Sequence, residues 1–237
     1  MPASGAVTRN TLRQQIADAL RDEVVAGRLK AGQEFTVKQI AEQYGVSATP
    51  VREALVDLCA QGLLDSDQHR GFRVHRYSVD DYRRMVEART LVVDGVLRRC
   101  TTAPAARRQA PGPGPEPGLG VALVSVRRRG EAAARAARAG DLDILIGYDI
   151  RYWRELGRLV AANDHIADFL HRLRVQGWAF SVPHLRAERD LPAQLWSRHV
   201  ELVDAVTRGD TRTSAEVVRD YDEHSLAWAD RLEHRAR

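Results

Sequence analysis

The sequence predicts a mainly α chain in two parts, a small helical domain that ends in a β-hairpin and a larger all-α helical bundle. Three observations carry this. Thr36–Leu55 holds two runs of apolar residues at helical spacing, separated by Gly45. Leu63–Val74 reads as two short strands around a turn containing Arg70 and Gly71. From Asp80 onward the apolar residues recur at helical spacing and no strand pattern appears, while Gly140 and Gly209 mark helix ends.

The elements follow in order. Met1–Asn10 reads as a frayed tail, and Thr11–Ala26 as a first helix that buries Leu12, Ile16, Ala19, Leu20 and Val24. Val37, Ile40, Ala41 and Tyr44 line one face of the next helix, which stops at Gly45 because glycine tolerates the left-handed exit. Ser47 or Thr49 can cap the helix after it, and Pro50 is accommodated in its first turn, where backbone N–H groups lack intrahelical partners. Val51, Ala54, Leu55, Leu58 and Cys59 form the inner face of that helix, leaving Ala48, Thr49, Arg52 and Glu53 outside. A short helix pair with a tight glycine turn is a helix-turn-helix, and a hairpin behind it makes a winged one. A guanidinium such as Arg52 can grip a guanine edge or a phosphate, a Thr hydroxyl can bond phosphate, and a wing can carry Arg70 into a minor groove.

These residues, the VSxTPVREAL core with Leu58–Leu64 and the RGF of the wing, resemble the DNA-binding domain of GntR-type bacterial transcription regulators over about Thr11–Val74. The resemblance implies contacts to double-stranded DNA from Lys38, Ala48, Thr49, Arg52, Arg70 and Gly71. Ala48 stands where family members usually carry arginine, so the operator or the affinity is expected to differ from the family norm.

The remaining chain, 77–237, is expected to be all-helical. Helices are predicted at Asp80–Thr102, Leu119–Ala139, Asp141–Ala162, from Asn163 or Asp164 to about Trp178, Ala193–Arg208, and Thr211–His234. On the first of these, Tyr82, Met85, Val86, Leu91, Val92 and Leu97 are the apolar positions. Residues 103–120 are a Pro/Gly-rich loop, with Arg107 and Arg108 in it and Arg127–Arg129 just after. Pro183 and Pro192 are expected to break 181–192 into irregular chain. Asp149, His199 and Tyr221 each fall on the apolar face of a different helix. Buried polar groups need partners, so the three are expected to converge on one internal pocket.

This part resembles the FCD effector domain of the FadR-like GntR branch over about Asp80–Ala229. The motif residues are Asp149–Trp153, Asn163, and His199 through Gly209-Asp210 to Tyr221. Many members hold a divalent metal with one Asp and three His. Counted onto this chain, those positions fall on Asp149, Trp153, His199 and Tyr221, so the metal site is degenerate and no cofactor is expected. The resemblance implies an effector pocket of Arg89, Asp149, Trp153, His199 and Tyr221, in which Arg89 would meet an organic acid.

Composition bounds the rest. The 237 residues suit one large or two modest domains. Formal net charge is only +4, and Lys30 and Lys38 are the only lysines, so the placement of arginines, not bulk charge, argues for DNA. Two cysteines, Cys59 and Cys100, suggest a reducing cytoplasm without a disulfide framework. No apolar run is long enough to span a bilayer. The expected protein is a cytoplasmic, homodimeric transcription regulator, a repressor in the first instance, and not an enzyme. A helical domain serving only dimerisation, or a metal-dependent hydrolase built on Asp149 and His199, are the rival readings, and two ligands make a poor metal site.

Overall fold

The computed structural model describes residues 4–67, 71–102 and 117–236. The chain divides into two compact units: residues 1–77 together with 178–183, and residues 78–177 with 184–237.

In the first unit, helix α1 spans Ser4–Val25 and strand β1 Glu34–Phe35. Helices α2 and α3 span Val37–Tyr44 and Ala48–Ala60, and strands β2 and β3 span Leu64–Asp67 and Gly71–Val74. Helix α1 starts earlier than the tail expected from the sequence, since no breaker follows Gly5 before the Gly27 exit at φ 72°. Thr36 closes α2 with a reciprocal capping box: its hydroxyl accepts from the Gln39 N–H (3.2 Å), and Gln39 Oε1 accepts from the Thr36 N–H (2.8 Å). Gly45 ends α2 at φ 64°. Ser47 occupies the cap position of α3 without a side-chain bond.

The strands form one antiparallel sheet in the order β1-β3-β2. The register pairs Phe35 with Phe72 and Leu64 with Val74. Strand β1 was not legible in the sequence, because two residues are too short for a period. Gly71, at φ 93°, lies so close to β1 that a Cβ there would stand 2.8 Å from the Phe35 carbonyl oxygen. Ile16, Leu20, Phe35, Ile40, Val51, Leu55, Leu58, Leu63 and Phe72 fill the core beneath.

The second unit is helical, and residues 178–183 of its helix α7 are counted with the first: α4 Val79–Thr102, α5 Pro117–Ala139, α6 Leu142–Ala161, α7 Asp164–Leu185, a 3-10 turn Pro192–Gln194, α8 His199–Thr207 and α9 Thr211–Ala236. A second capping box starts α4, with the Ser78 N–H donating to Asp81 Oδ2 (2.9 Å) and the Asp81 N–H to Ser78 Oγ (3.1 Å). Asp141 accepts from the Ile144 N–H (3.1 Å) at the start of α6. Asp210 accepts from the Thr213 N–H (3.0 Å) at the start of α9. Helix α5 packs along α6 and α8, and α9 along α4 and α8. The approach of α5 relies on small residues: Ala133, Ala134 and Ala137 are buried, and a Cβ on Gly130 would meet the Tyr152 ring at 2.9 Å.

Four expectations are corrected here. Helix α5 begins at Pro117, so residues 117–120 are helical and not loop. Proline is compatible with a first helical position. Residues 103–116, with Arg107 and Arg108, lie outside the described residues. Helix α7 runs through Pro183 to Leu185, because a proline so near the end removes one backbone bond while Phe180, Val182 and Leu185 are buried. Ala193–Arg208 is not one helix: Leu195 is extended at φ −108°, ψ 127°, and α8 begins only at His199. Leu91, expected among the apolar positions of α4, is 66% exposed.

Candidate functional site

The first unit presents the residues expected to face DNA on one element and its hairpin. Ala48 and Thr49 open α3 and are exposed, as is Arg52 one turn later. Burial of Val51, Ala54, Leu55 and Leu58 (each 0% exposed) forces the opposite face outward. Arg52 makes no ion pair among the described residues, so its guanidinium is uncommitted. Lys38, on α2, is exposed 3.8 Å from Glu42. Arg73 is drawn to Asp65 (3.3 Å), and Asp65 also meets His75 Nδ1 at 2.8 Å. Burial opposes the charge on Asp65, but the hydrogen bond and charge of His75, helped by Arg73, hold its carboxyl below the usual range. Gly71 is placed at the start of β3, and Arg70 lies outside the described residues.

The second unit brings the five residues expected to form an effector pocket into one contiguous cluster, with one that sequence reasoning missed. Asp149, on α6, and His199, the first residue of α8, are 2% and 1% exposed. His199 Nε2 lies 2.9 Å from Asp149 Oδ1, and the Trp153 indole N–H donates to the same oxygen at 3.0 Å. Asp149 Oδ2 faces the Arg174 guanidinium at 3.6 Å. Arg174, on α7, lies over the rings of Trp153 (4.3 Å) and Tyr221 (4.6 Å), and its Nη1 donates to the Tyr221 hydroxyl. Stacked cations of this kind are worth about 0.5–2 kcal/mol each. Tyr152 donates to the His199 carbonyl (2.7 Å), which seats the start of α8, and burial pushes that phenol well up.

Trp153 is therefore a hydrogen-bond donor as well as a wall. Tyr221 bonds Arg174 and not the Asp149–His199 pair. Arg89 departs furthest from expectation. It grips Asp222 through Nε (2.9 Å) and Nη2 (2.5 Å) and lies 4.4 Å over the Tyr221 ring. Burial disfavours its charge, but the Tyr221 and Asp222 oxygens outweigh that and raise its pKa. Thr90 donates to the other Asp222 oxygen (2.7 Å). Arg89 is thus already paired with a carboxylate.

Arg174 and Asp222 could have been found. Arg174 stands seven residues after Ala167 and four after Leu170, on the inner stripe of α7. Asp222 stands four after Val218 and three before Ser225, on the inner stripe of α9. A charge on a buried stripe announces a partner.

A divalent metal of the kind the resemblance implies does not fit these residues. Arg174 holds the cationic position against Asp149, and the Trp153 indole fills the place of a second ligand. Among the described residues no three His, Cys, Asp or Glu side chains gather as a metal site. His224, the nearest substitute, meets the Gln194 carbonyl at 3.0 Å.

Burial lowers the pKa of His224, against a smaller opposing effect of the Gln194 carbonyl and with some help from Arg231. The unfolded chain takes up a proton near pH 6.5, whereas the folded one resists it. Stability should fall as pH drops below about 6.5 toward the lower folded value. In urea titrations at several pH values, His224→Gln is expected to show a shallower loss over that window. An unchanged slope would mean that His224 is not one of the groups responsible.

Residues 12–74 match the family described as bacterial regulatory proteins, gntR family, and residues 121–224 match the FCD domain. This chain is a member of the GntR family. It carries the family's helix-turn-helix and a C-terminal FCD domain, in a family of transcription regulators rather than enzymes.

The chain is 39% identical over 93 residues to the "Probable D-xylose utilization operon transcriptional repressor" of Paenarthrobacter nicotinovorans. It is 36% identical over 74 residues to the regulator McbR of Escherichia coli K12. These matches cover 39% and 31% of this chain, which spans 41% and 34% of the two curated relatives. The solved structure of E. coli McbR/YncC has the same fold, with a TM-score of 0.69 at 20% identity over 94% of this chain and 98% of that one. A GntR-type regulator of Rhodococcus sp. RHA1 gives 0.65 at 19% identity over 92% and 96%. Among the described residues no helix is long and apolar enough to cross a membrane.

Proposed function

We propose that this chain is a DNA-binding transcription repressor that works in the cytoplasm. It reads a palindromic operator as a homodimer, and a small molecule in its helical unit changes its grip on DNA. The observation that carries the reading is the outer face of α3, where Ala48, Thr49 and an uncommitted Arg52 stand exposed beside a β-hairpin wing. A positive helix N-terminus and a free guanidinium suit phosphate and guanine, and a wing adds backbone contact. Twofold symmetry in the protein matches a palindrome with two half-sites. The relatives' names, a D-xylose operon repressor among them, support repression. The pocket around Arg174 supports sensing, and coupling between it and DNA affinity would be the difference in ligand affinity between two arrangements of the dimer.

Arg52→Ala is expected to weaken binding to the cognate operator by about 1–3 kcal/mol in gel-shift titrations. Arg70→Ala should weaken binding to all sequences and flatten its salt dependence. Operator affinity unchanged in both variants would defeat the assignment.

A further inference from the structure

Between α4, α6, α7, α8 and α9 lies a pocket in which the centre of a water-sized sphere can occupy about 80 Å³. Its walls are aliphatic, among them Val93, Leu97, Leu156, Val160, Leu202 and Val206. Arg89, Arg174, Trp153 and Tyr221 also line it. Both guanidinium groups are already matched by carboxylates, Arg89 by Asp222 (2.5 Å) and Arg174 by Asp149 (3.6 Å). Between these two guanidinium groups and two carboxylates the charges cancel.

We propose that this pocket binds a small uncharged molecule, mostly apolar and carrying one hydrogen-bond acceptor such as a carbonyl or hydroxyl. This deepens the sensing reading above and rests on it. An anion entering here would surrender its hydration and bring a net charge into a balanced, poorly solvated site. Among the described residues no cation lining the site lacks a carboxylate to meet it. An apolar body gains from the aliphatic walls in proportion to the area it removes from water. The acceptor has a donor to meet. A guanidinium carries five N–H groups, and among the described residues Arg174 donates only one hydrogen bond, to Tyr221. The pocket therefore selects for neutrality where Arg89 alone would suggest an acid.

Two pairs of near-isosteric probes test this: isobutyramide against isobutyrate, and benzamide against benzoate. Each is titrated calorimetrically into the full chain at pH 8, with thermal unfolding in parallel. Each amide should bind at least about ten-fold more tightly than its acid and raise Tm. Asp222→Asn frees Arg89 from its carboxylate, so it should shrink or reverse that ratio, an outcome that loss of packing alone would not give. An acid that binds the native chain as tightly as its amide overturns the proposal. So does the absence of binding by either amide up to about 10 mM, the range open to ligands of so few atoms. Repeating the titrations with operator DNA separates the two readings. Amides that bind without changing operator affinity would defeat sensing and leave the ligand class standing. Acids that bind and release the operator would defeat the ligand class and leave sensing standing.

Discussion

Arg174→Met is expected to destabilise the helical unit by about 3–5 kcal/mol, the largest single loss in this half of the chain. Methionine fills much of the same volume, so the cost is chiefly electrostatic. Asp149 is 2% exposed, so without the guanidinium 3.6 Å from its Oδ2 the carboxylate keeps its charge in a place bulk water does not reach. Asp149→Asn in the same background removes the buried negative charge, and the double variant should recover a good part of the loss. Urea unfolding of the native chain, both single variants and the double variant gives the coupling directly. A coupling below about 0.5 kcal/mol, the level expected of independent sites, would show that Arg174 and Asp149 do not act as a pair.

Gly71→Ala should cost the N-terminal unit about 2–3 kcal/mol and with it operator binding. Two effects add at this position. An alanine must adopt φ 93°, a region that L side chains rarely occupy, and its Cβ would stand 2.8 Å from the Phe35 carbonyl oxygen and 3.5 Å from Thr36 Cα. Both neighbours are backbone and cannot swing aside. Relief must come from parting β1 from β3, which turns the wing and unseats Phe35 and Phe72 from the core. Gly45→Ala is the matched control, because Gly45 has φ 64° and a Cβ there would have nothing within 4 Å. It should cost only about 1 kcal/mol. Equal losses of Tm in the two variants would mean that close approach to β1 adds nothing at Gly71.

The helix-turn-helix was legible because local chemistry alone specifies it. Thr36, Gly45 and the period of Val51, Ala54, Leu55 and Leu58 each act within a few residues of themselves. Strand β1 was not legible, since Glu34–Phe35 becomes a strand only by pairing with Arg73 and Phe72, nearly forty residues on. In the helical unit, the convergence of Asp149 and His199 was readable from two inward polar residues on apolar faces. The role of Arg89 was not. Its charge was visible, but its neutralisation depends on Asp222 across 133 positions of chain. Arg174 escaped for a related reason: a guanidinium held against one carboxylate, one phenol and two rings leaves little local trace beyond its place on the stripe. The continuation of α7 through Pro183 shows tertiary burial overriding a local breaker.

Trp153 and Trp196, two of the four tryptophans in the chain, stand 6.1 Å apart with their rings inclined by 34°. Transition dipoles this close exchange excitation, so the two indoles act as one chromophore whose optical asymmetry depends on their mutual angle. Trp153 lines the pocket and Trp196 is tied to Asp220 at 2.8 Å. A change of fit around the first indole therefore alters the near-ultraviolet circular dichroism of the pair. That band vanishes when side-chain packing is lost even if helices persist. The protein thus carries a built-in optical gauge of its own interior, with no label required.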